Sequence, residues 1–302
     1  MKSIIIVGLG SMGLAHLSSF IKSKEKKRLF LVERDVNQHK QISKLLDDQK
    51  IYYEILKEIP KNKSFDFGVI SSKSKERLQI CKKLIINNKI RFLFLEKFLF
   101  NDLNEYKIFY SLKKRFKIKT YVNIWSQIFL KRVNLKKNDK KIFIEVILPN
   151  KKILTNLINF FEIFRLLTGN NFKIDLTNFN LKKINKTYYD GNGEIRFKSK
   201  KNSIMLIKSK KMDNNIIFTY NSANSKKKII ISKGIIQIYK NSKILKKKFP
   251  LASIETSKLY RNLSKIKYNH KIFFPQYPII EKSSKIILKS FFKKFKKRVK
   301  IS

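Results

Sequence analysis

The sequence predicts an α/β amino-terminal domain on a parallel sheet, followed by an α+β domain on an open, mainly antiparallel sheet. Three observations predict this. Short β-branched apolar runs alternate with amphipathic helical stretches over residues 1–122, the pattern of a doubly wound parallel sheet. From residue 123 to 302 the alternation gives way to one long helix and a series of short strands with short connections, which pair antiparallel. The 302 residues, 43% of them hydrophobic, suffice to bury two cores.

Composition narrows the possibilities further. Gly (8) and Pro (5) are too scarce for collagen-like or linker-rich architecture. A single cysteine, Cys81, excludes a disulfide framework or multi-cysteine metal site. The longest apolar runs, such as Ile4-Ile5-Ile6-Val7, fall far short of the ~20 residues that cross a bilayer, and the apolar start is too short for a secretory signal core. The net charge of +49 suggests nucleic acid or an anionic membrane. Against this, only 10 of the 70 basic residues are Arg, and Lys is spread along the whole chain. Abundant Lys, Ile, Asn and Phe with three Ala read as drift toward A/T-rich codons, whereas a base reader uses Arg on one face. A soluble cytoplasmic protein with no specific nucleic-acid partner is expected.

The run Ser3–Val7 reads as a strand and leads into Gly8-Leu9-Gly10-Ser11-Met12-Gly13, after which Leu14, Leu17 and Ile21 share one helical face. A G-x-G-x-x-G between strand and helix is the setting of a Rossmann dinucleotide site. Gly8 allows the tight turn, Gly10 the approach of a diphosphate, and Gly13 close helix–strand packing. The helix N-terminus offers N–H groups and a positive dipole end. A second strand, Leu29–Val32, ends at Glu33, 25 residues beyond Gly8. A carboxylate there accepts from the ribose hydroxyls and repels a 2′-phosphate, favouring NAD over NADP. Arg34 beside it could stack on adenine or pair with a phosphate.

Strands follow at 65–70, 91–95 and 119–124, with helices at 75–88 and 102–115 between them. Ligands of such sheets bind at the carboxyl ends of the strands, here Gly8, Glu33, Ser71-Ser72, Glu96-Lys97 and Asn123. With Ser71-Ser72, a helix, and then Phe94-Leu95-Glu96-Lys97-Phe98, the sequence resembles the Gfo/Idh/MocA oxidoreductases, relatives of glucose–fructose oxidoreductase and inositol dehydrogenase. The resemblance covers residues 1–125 and continues more weakly through 159–169 and the C-terminal helix. It implies hydride transfer between a nicotinamide nucleotide and a sugar, cyclitol or nucleotide-sugar hydroxyl. It makes Lys97 the residue that handles the hydroxyl proton, and places Glu96 as loop orienter or ribose contact and Asn123 near the nicotinamide or substrate. A partly desolvated Lys titrates low enough for that work.

Two features depart from the family. Phe98 replaces its Pro, and a non-proline cis bond costs ~3–4 kcal/mol, so a trans peptide is expected after Lys97. The family's Asp and, four residues on, His fall at Thr155 and Asn159, counting back from Gly169. Neither titrates near neutral pH, so Lys97 works alone or the chain is a catalytically degenerate dinucleotide binder.

The histidines offer no replacement: His16 is packed or near the phosphates, His39 lies on an exposed helix and His270 in a loop. No metal-ligand cluster, serine nucleophile elbow or Walker loop occurs.

In the second half, 141–148 reads as a strand and 153–167 as an amphipathic helix ended by Gly169. Strands follow at 172–181, 193–198, 203–207, 215–220, 228–232, 235–239 and 244–247. One sheet face covers the helix; the other is free for a second copy, giving a homodimer or homotetramer. Lys151, Lys152, Asn156, Asn159, Tyr188 and Tyr189 are candidate substrate contacts. Residues 278–302 read as a closing helix packed on the first domain; the competing reading is a basic amphipathic helix on an anionic membrane.

Overall fold

A computed structural model describes residues 1–47, 49–137, 141–149, 153–185, 188–232, 234–240, 243–249, 256–264, 274–296 and 298–300. The chain divides into two compact units, Met1–Ile124 with Leu251–Glu281, and Trp125–Pro250 with Lys282–Ser302.

The first unit runs β1 (Lys2–Val7), α1 (Ser11–Ile21), β2 (Lys27–Val32), α2 (Val36–Leu46), β3 (Tyr52–Leu56), β4 (Ser64–Ile70), α3 (Ser74–Asn87), β5 (Lys89–Leu95), α4 (Leu103–Arg115) and β6 (Lys119–Val122). Its six strands lie in the order β3-β2-β1-β4-β5-β6, every pairing parallel. Helices cover both faces of such a sheet, so central strands are apolar throughout instead of alternating. Ile4, Ile5 and Ile6 of β1 and Phe94 of β5 accordingly show no exposed surface. Each such side chain contributes about 1.5–3 kcal/mol of burial. The strand order reverses between β1 and β4, which puts the ligand crevice of the fold beside the glycine turn and Ser71.

The second unit holds α5 (Ser126–Arg132), β7 (Ile142–Pro149), α6 (Ile153–Thr168), β8 (Phe172–Asp175), β9 (Phe179–Lys183), β10 (Tyr189–Ser199), β11 (Ile204–Lys210), β12 (Ile216–Ser222), β13 (Ser225–Ser232), β14 (Ile235–Lys240) and β15 (Lys243–Lys248). These strands form a nine-stranded sheet that is antiparallel except for the parallel pair β7 and β11. Leu157, Phe160, Phe161 and Phe164 of α6 are fully buried, with Phe161 and Phe164 stacking on Phe172 and Phe197 of the sheet.

Two further helices follow, α7 (Thr256–Ser264) and α8 (Tyr277–Phe295). The stretch 251–281 groups with the first unit, and the described boundary falls after Ile124 instead of residue 122. Only the start of α8 therefore packs as the sequence predicts: Tyr277 donates to the Tyr106 carbonyl at 3.2 Å and stacks on Phe109. Beyond Glu281 the helix belongs with the second unit, where Phe291 meets Phe179. Its apolar stripe of Ile280, Ile287, Leu288 and Phe291 is buried in protein, while Ile279 and Phe292 are exposed. No helix among the described residues is long and apolar enough to cross a membrane.

The strand predicted over 172–181 is two, broken where Asp175 Oδ1 accepts from the Thr177 N–H at 2.8 Å in an Asx turn. Three elements outside the sequence reading emerge in the structure: edge strand β3, α5 and α7.

Candidate functional site

At the carboxyl end of the first sheet lies an open cleft of about 710 Å³, lined by Val7, Gly8, Gly10, Val32, Glu33, Arg34, Lys57, Ser71, Ser72 and Lys73 among others. Each glycine of the turn has a distinct constraint. Gly8 sits at φ +86°, where a side chain is strained, and its N–H bonds the Val32 carbonyl at 2.9 Å. A Cβ on Gly13 would stand 2.0 Å from the Gly8 carbonyl oxygen. A Cβ on Gly10 would meet nothing within 4 Å. The turn is thus held shut on the protein side by Gly8 and Gly13 and left bare at Gly10 on the cleft side. Gly10 is also the N-cap of α1 and gives it no side-chain cap, so the first-turn N–H groups of Ser11, Met12 and Gly13 keep their capacity for an anion.

Glu33 stands at the end of β2. Its Oε2 accepts from the Leu9 N–H at 2.6 Å and its Oε1 from the Asp35 N–H at 3.1 Å. The carboxylate is thereby locked to the glycine turn, with lone pairs remaining on both oxygens. Arg34 is 73% exposed and pairs with Glu76 of α3 at 3.4 Å. Ser71 Oγ donates to the Gly8 carbonyl at 2.6 Å, tying the end of β4 to the turn. Ser72 Oγ is buried without a partner among the described residues.

Glu96 is 4% exposed, and its bonds run inside the protein. Oε1 lies 2.7 Å from His16 Nε2 and accepts from Asn123 Nδ2. His16 Nδ1 lies 2.6 Å from Thr256 Oγ1. Burial raises the Glu96 carboxyl, but the His16 hydrogen bond and charge, with Asn123 and Arg77, outweigh it and hold the group below the usual glutamate value. These bonds tie the end of β5 to His16 of α1 and to Asn123. The fixed amide of Asn123 leaves its Oδ1 buried without a partner among the described residues.

Lys97 follows Glu96. Its side chain is partly exposed, while burial of its amine, opposed by the Glu96 charge, brings it down to about 8. The Lys97–Phe98 peptide is cis, against the expected trans bond. The surroundings account for it: Phe98 is 2% exposed and Arg77 binds the carbonyls of Glu96 and Phe98 on either side.

In the second unit, Asn159 of α6 is fully buried. Its Oδ1 accepts from the Trp125 N–H at 3.3 Å, and its Nδ2 has no partner among the described residues. Thr155 and Asn156 are half-buried on the first turn of α6, beside the buried Asp190, which caps that turn. Tyr188 is buried and Tyr189 donates its N–H to the Lys300 carbonyl at 2.9 Å. Lys151, Lys152 and His270 lie outside the described residues. His39 is half-buried, not exposed, with Nε2 2.8 Å from the Glu33 carbonyl oxygen.

Sequence reasoning missed Arg77 and Thr256. The inward stripe of Leu78, Cys81, Leu84 and Ile85 extends back to Arg77 at helical spacing, a signal that was available. Thr256 carries none, since α7 has no visible boundary in the sequence.

A parallel sheet in this strand order, a bare glycine turn and an acid locked beside it define a doubly wound, Rossmann-like unit, with an added, mainly antiparallel-sheet unit. Among solved structures, the chain is similar to a dehydrogenase from Clostridium difficile (TM-score 0.69, 13% identity, 97% of this chain and 99% of that one). It is also similar to biliverdin reductase from Synechocystis, solved with biliverdin and NADP+ (0.66, 10%, 94% and 96%). A third is UDP-N-acetylglucosamine 3-dehydrogenase from Acidithiobacillus ferrooxidans (0.67, 9%, 96% and 95%). At these identities the likeness is one of fold: a Rossmann-like parallel-sheet unit with a mixed, mostly antiparallel sheet after it, the fold class that the sequence predicts. No protein-family model matches the sequence, and no curated protein does.

Proposed function

We propose that the chain is an NAD-dependent oxidoreductase acting on a hydroxyl or keto group of a sugar, cyclitol or nucleotide sugar. The observation that carries this is the glycine turn: Gly8 and Gly13 admit no Cβ without strain or clash, while Gly10 faces open space. Protein packing explains the first two and leaves the third to a ligand. The N–H groups at Ser11, Met12 and Gly13 would hold the diphosphate and Glu33 the ribose hydroxyls; Ser72 in the cleft lining and Asn123 after β6 would add buried oxygens that have no partner among the described residues. NAD, when bound, supplies the hydride acceptor or donor. Lys97 takes the hydroxyl proton on its neutral amine as an alcohol is oxidised, and returns it in reduction. Glu96 holds that amine's strand end in place through His16 and Asn123.

Glu33 supports NAD over NADP, because a 2′-phosphate would meet a carboxylate already fixed by two N–H donors. The reading also includes self-association through the free face of the second sheet, where Phe143 is exposed; sedimentation of the purified chain tests it. Titration with NADH, followed by its fluorescence, tests the core of the proposal. Saturation below millimolar NADH, weaker NADPH binding, and loss of the preference in Glu33→Ser are expected. Absence of NADH binding at millimolar concentration would end the proposal.

A second reading is a cofactor-binding protein without turnover. It is favoured by Thr155 and Asn159 standing where a titrating pair would serve. It predicts NADH binding without turnover on any member of a sugar and nucleotide-sugar panel.

A further inference from the structure

The segment from Glu96 to Asp102 lies between β5 and α4; its ends are tied by Glu96 N–H to the Ile70 carbonyl and by Phe100, Asn101 and Asp102 to Tyr106 and Glu105 of α4, while Phe98, Leu99 and Phe100 are at most 2% exposed. Buried carbonyls in such a segment need donors from elsewhere. Arg77, on the first turn of α3 and 3% exposed, supplies them. Its Nη1 donates to the Glu96 carbonyl at 2.7 Å, to the Leu99 carbonyl at 3.0 Å and to the Phe98 carbonyl. Its Nη2 donates to the Ser72 carbonyl. Three of these acceptors bracket Lys97 in the chain; the fourth belongs to the loop that lines the cleft.

We infer that Arg77 is a positioning residue, whose guanidinium fixes the backbone carrying Lys97 against the Ser71–Ser72 loop and so sets where the Lys97 amine stands. This rests on the reading that Lys97 serves the cleft, and adds how its amine is held there. The planar, rigid fork of Arg is suited to several carbonyls at once, whereas a Lys presents a single point donor. The titratable and charged groups that face the segment are Arg77 from α3, Glu96 at the end of β5 bonded to His16 from α1, and Glu105 from α4, whose carboxylate accepts from the Asn101 and Asp102 N–H groups. The amine's titration therefore reports the position of the segment as well as its burial.

The test uses the full chain, trace-labelled with acetic anhydride across a range of pH, with the Lys97 peptide quantified by mass spectrometry. In the unaltered protein, Lys97 should label with a midpoint near 8 and be shielded by NADH. In Arg77→Met the midpoint should rise toward the ordinary lysine value of 10.5, and millimolar guanidinium, entering the vacated space, should bring it back. Arg77→Lys keeps the cation and removes the fork, so a rise there reports displacement of the segment and not the lost charge. It also serves if Arg77→Met does not fold. A midpoint unchanged in a folded Arg77 variant, with NADH shielding intact, overturns this inference alone. An ordinary lysine midpoint in the unaltered protein, with no NADH shielding, overturns the reading of Lys97 and the inference with it.

Discussion

His16 Nε2 stands 2.7 Å from Glu96 Oε1, with both side chains buried, one from α1 and the other from the end of β5. The pair joins the helix that opens at the glycine turn to the strand end that carries Lys97. Thr256 fixes the other ring nitrogen, and Asn123 shares the same carboxylate oxygen.

This network makes Glu96 a source of acid sensitivity. Its folded pKa lies below the ordinary value of 4.5, so the unfolded chain binds the proton more readily. The stabilisation is complete above that ordinary value and is lost as pH falls through the lower folded one. Glu96→Gln should flatten the acid limb of a plot of urea-unfolding free energy against pH. His16→Phe, which leaves the buried carboxylate short of a donor, should cost about 1–3 kcal/mol at pH 7. An acid limb unchanged in Glu96→Gln would contradict a charged Glu96 in the fold.

The glycine turn separates packing from binding in two substitutions. Gly13→Ala places a methyl 2.0 Å from the Gly8 carbonyl oxygen, and overpacking of this kind costs about 1–3 kcal/mol. Gly10→Ala places one in open space. Gly13→Ala is thus expected to melt lower, and Gly10→Ala to melt like the unaltered protein while binding NADH about tenfold more weakly or worse. Full NADH affinity in Gly10→Ala would remove the bare side of the turn from the cofactor site.

Much of the first unit was legible because its evidence is local. Ile4–Val7, the three glycines and Glu33 lie within 33 residues, each in its required order. The peptide after Lys97 was misread because its geometry answers to Arg77, twenty residues away. Thr256 was invisible for a stronger form of the same reason, since it meets His16 across 240 residues of chain. In the second unit the strands were legible as alternating segments. The parallel pairing of β7 with β11 was not, because 61 residues separate the paired Phe143 and Ile204 and no periodicity encodes a partner.

Lys97 leaves a signature in stability as well as in reactivity. Its folded pKa of about 8 lies below the ordinary 10.5, so between these values the unfolded chain holds a proton that the folded chain has released. Stability contributed by this site therefore rises with pH across that window, and below it the folded state carries the full cost of a desolvated ammonium. Lys97→Met should be more stable than the unaltered protein at pH 7, with the gain shrinking as pH approaches 10.5. Thermal melts at pH 7 and pH 10 compare the two; a gain of equal size at both would place the amine in ordinary solvent.

Asp190 poses the matching question in the second unit. Its Oδ1 accepts from the Leu154 N–H at 3.0 Å, capping the first turn of α6, and from its neighbour Gly191 at 2.8 Å. Its Oδ2 is buried without a partner among the described residues. Burial raises its pKa above the ordinary 3.8 despite these donors, so at neutral pH the folded state carries the cost of a buried charge, relieved as pH falls through the raised value. The cap needs only an oxygen, while the charge is the costly part. Asp190→Asn keeps the acceptor and drops the charge; Asp190→Ala drops both and strands the N–H groups of α6. The Asn variant should be at least as stable as the unaltered protein at pH 7, and the Ala variant less stable by about 1–2 kcal/mol. Urea melts of both variants check the order. An Asn variant as unstable as the Ala one would mean that the carboxylate's charge is needed at the start of α6, beside Thr155 and Asn156, and would make Asp190 the first group to test for proton transfer there.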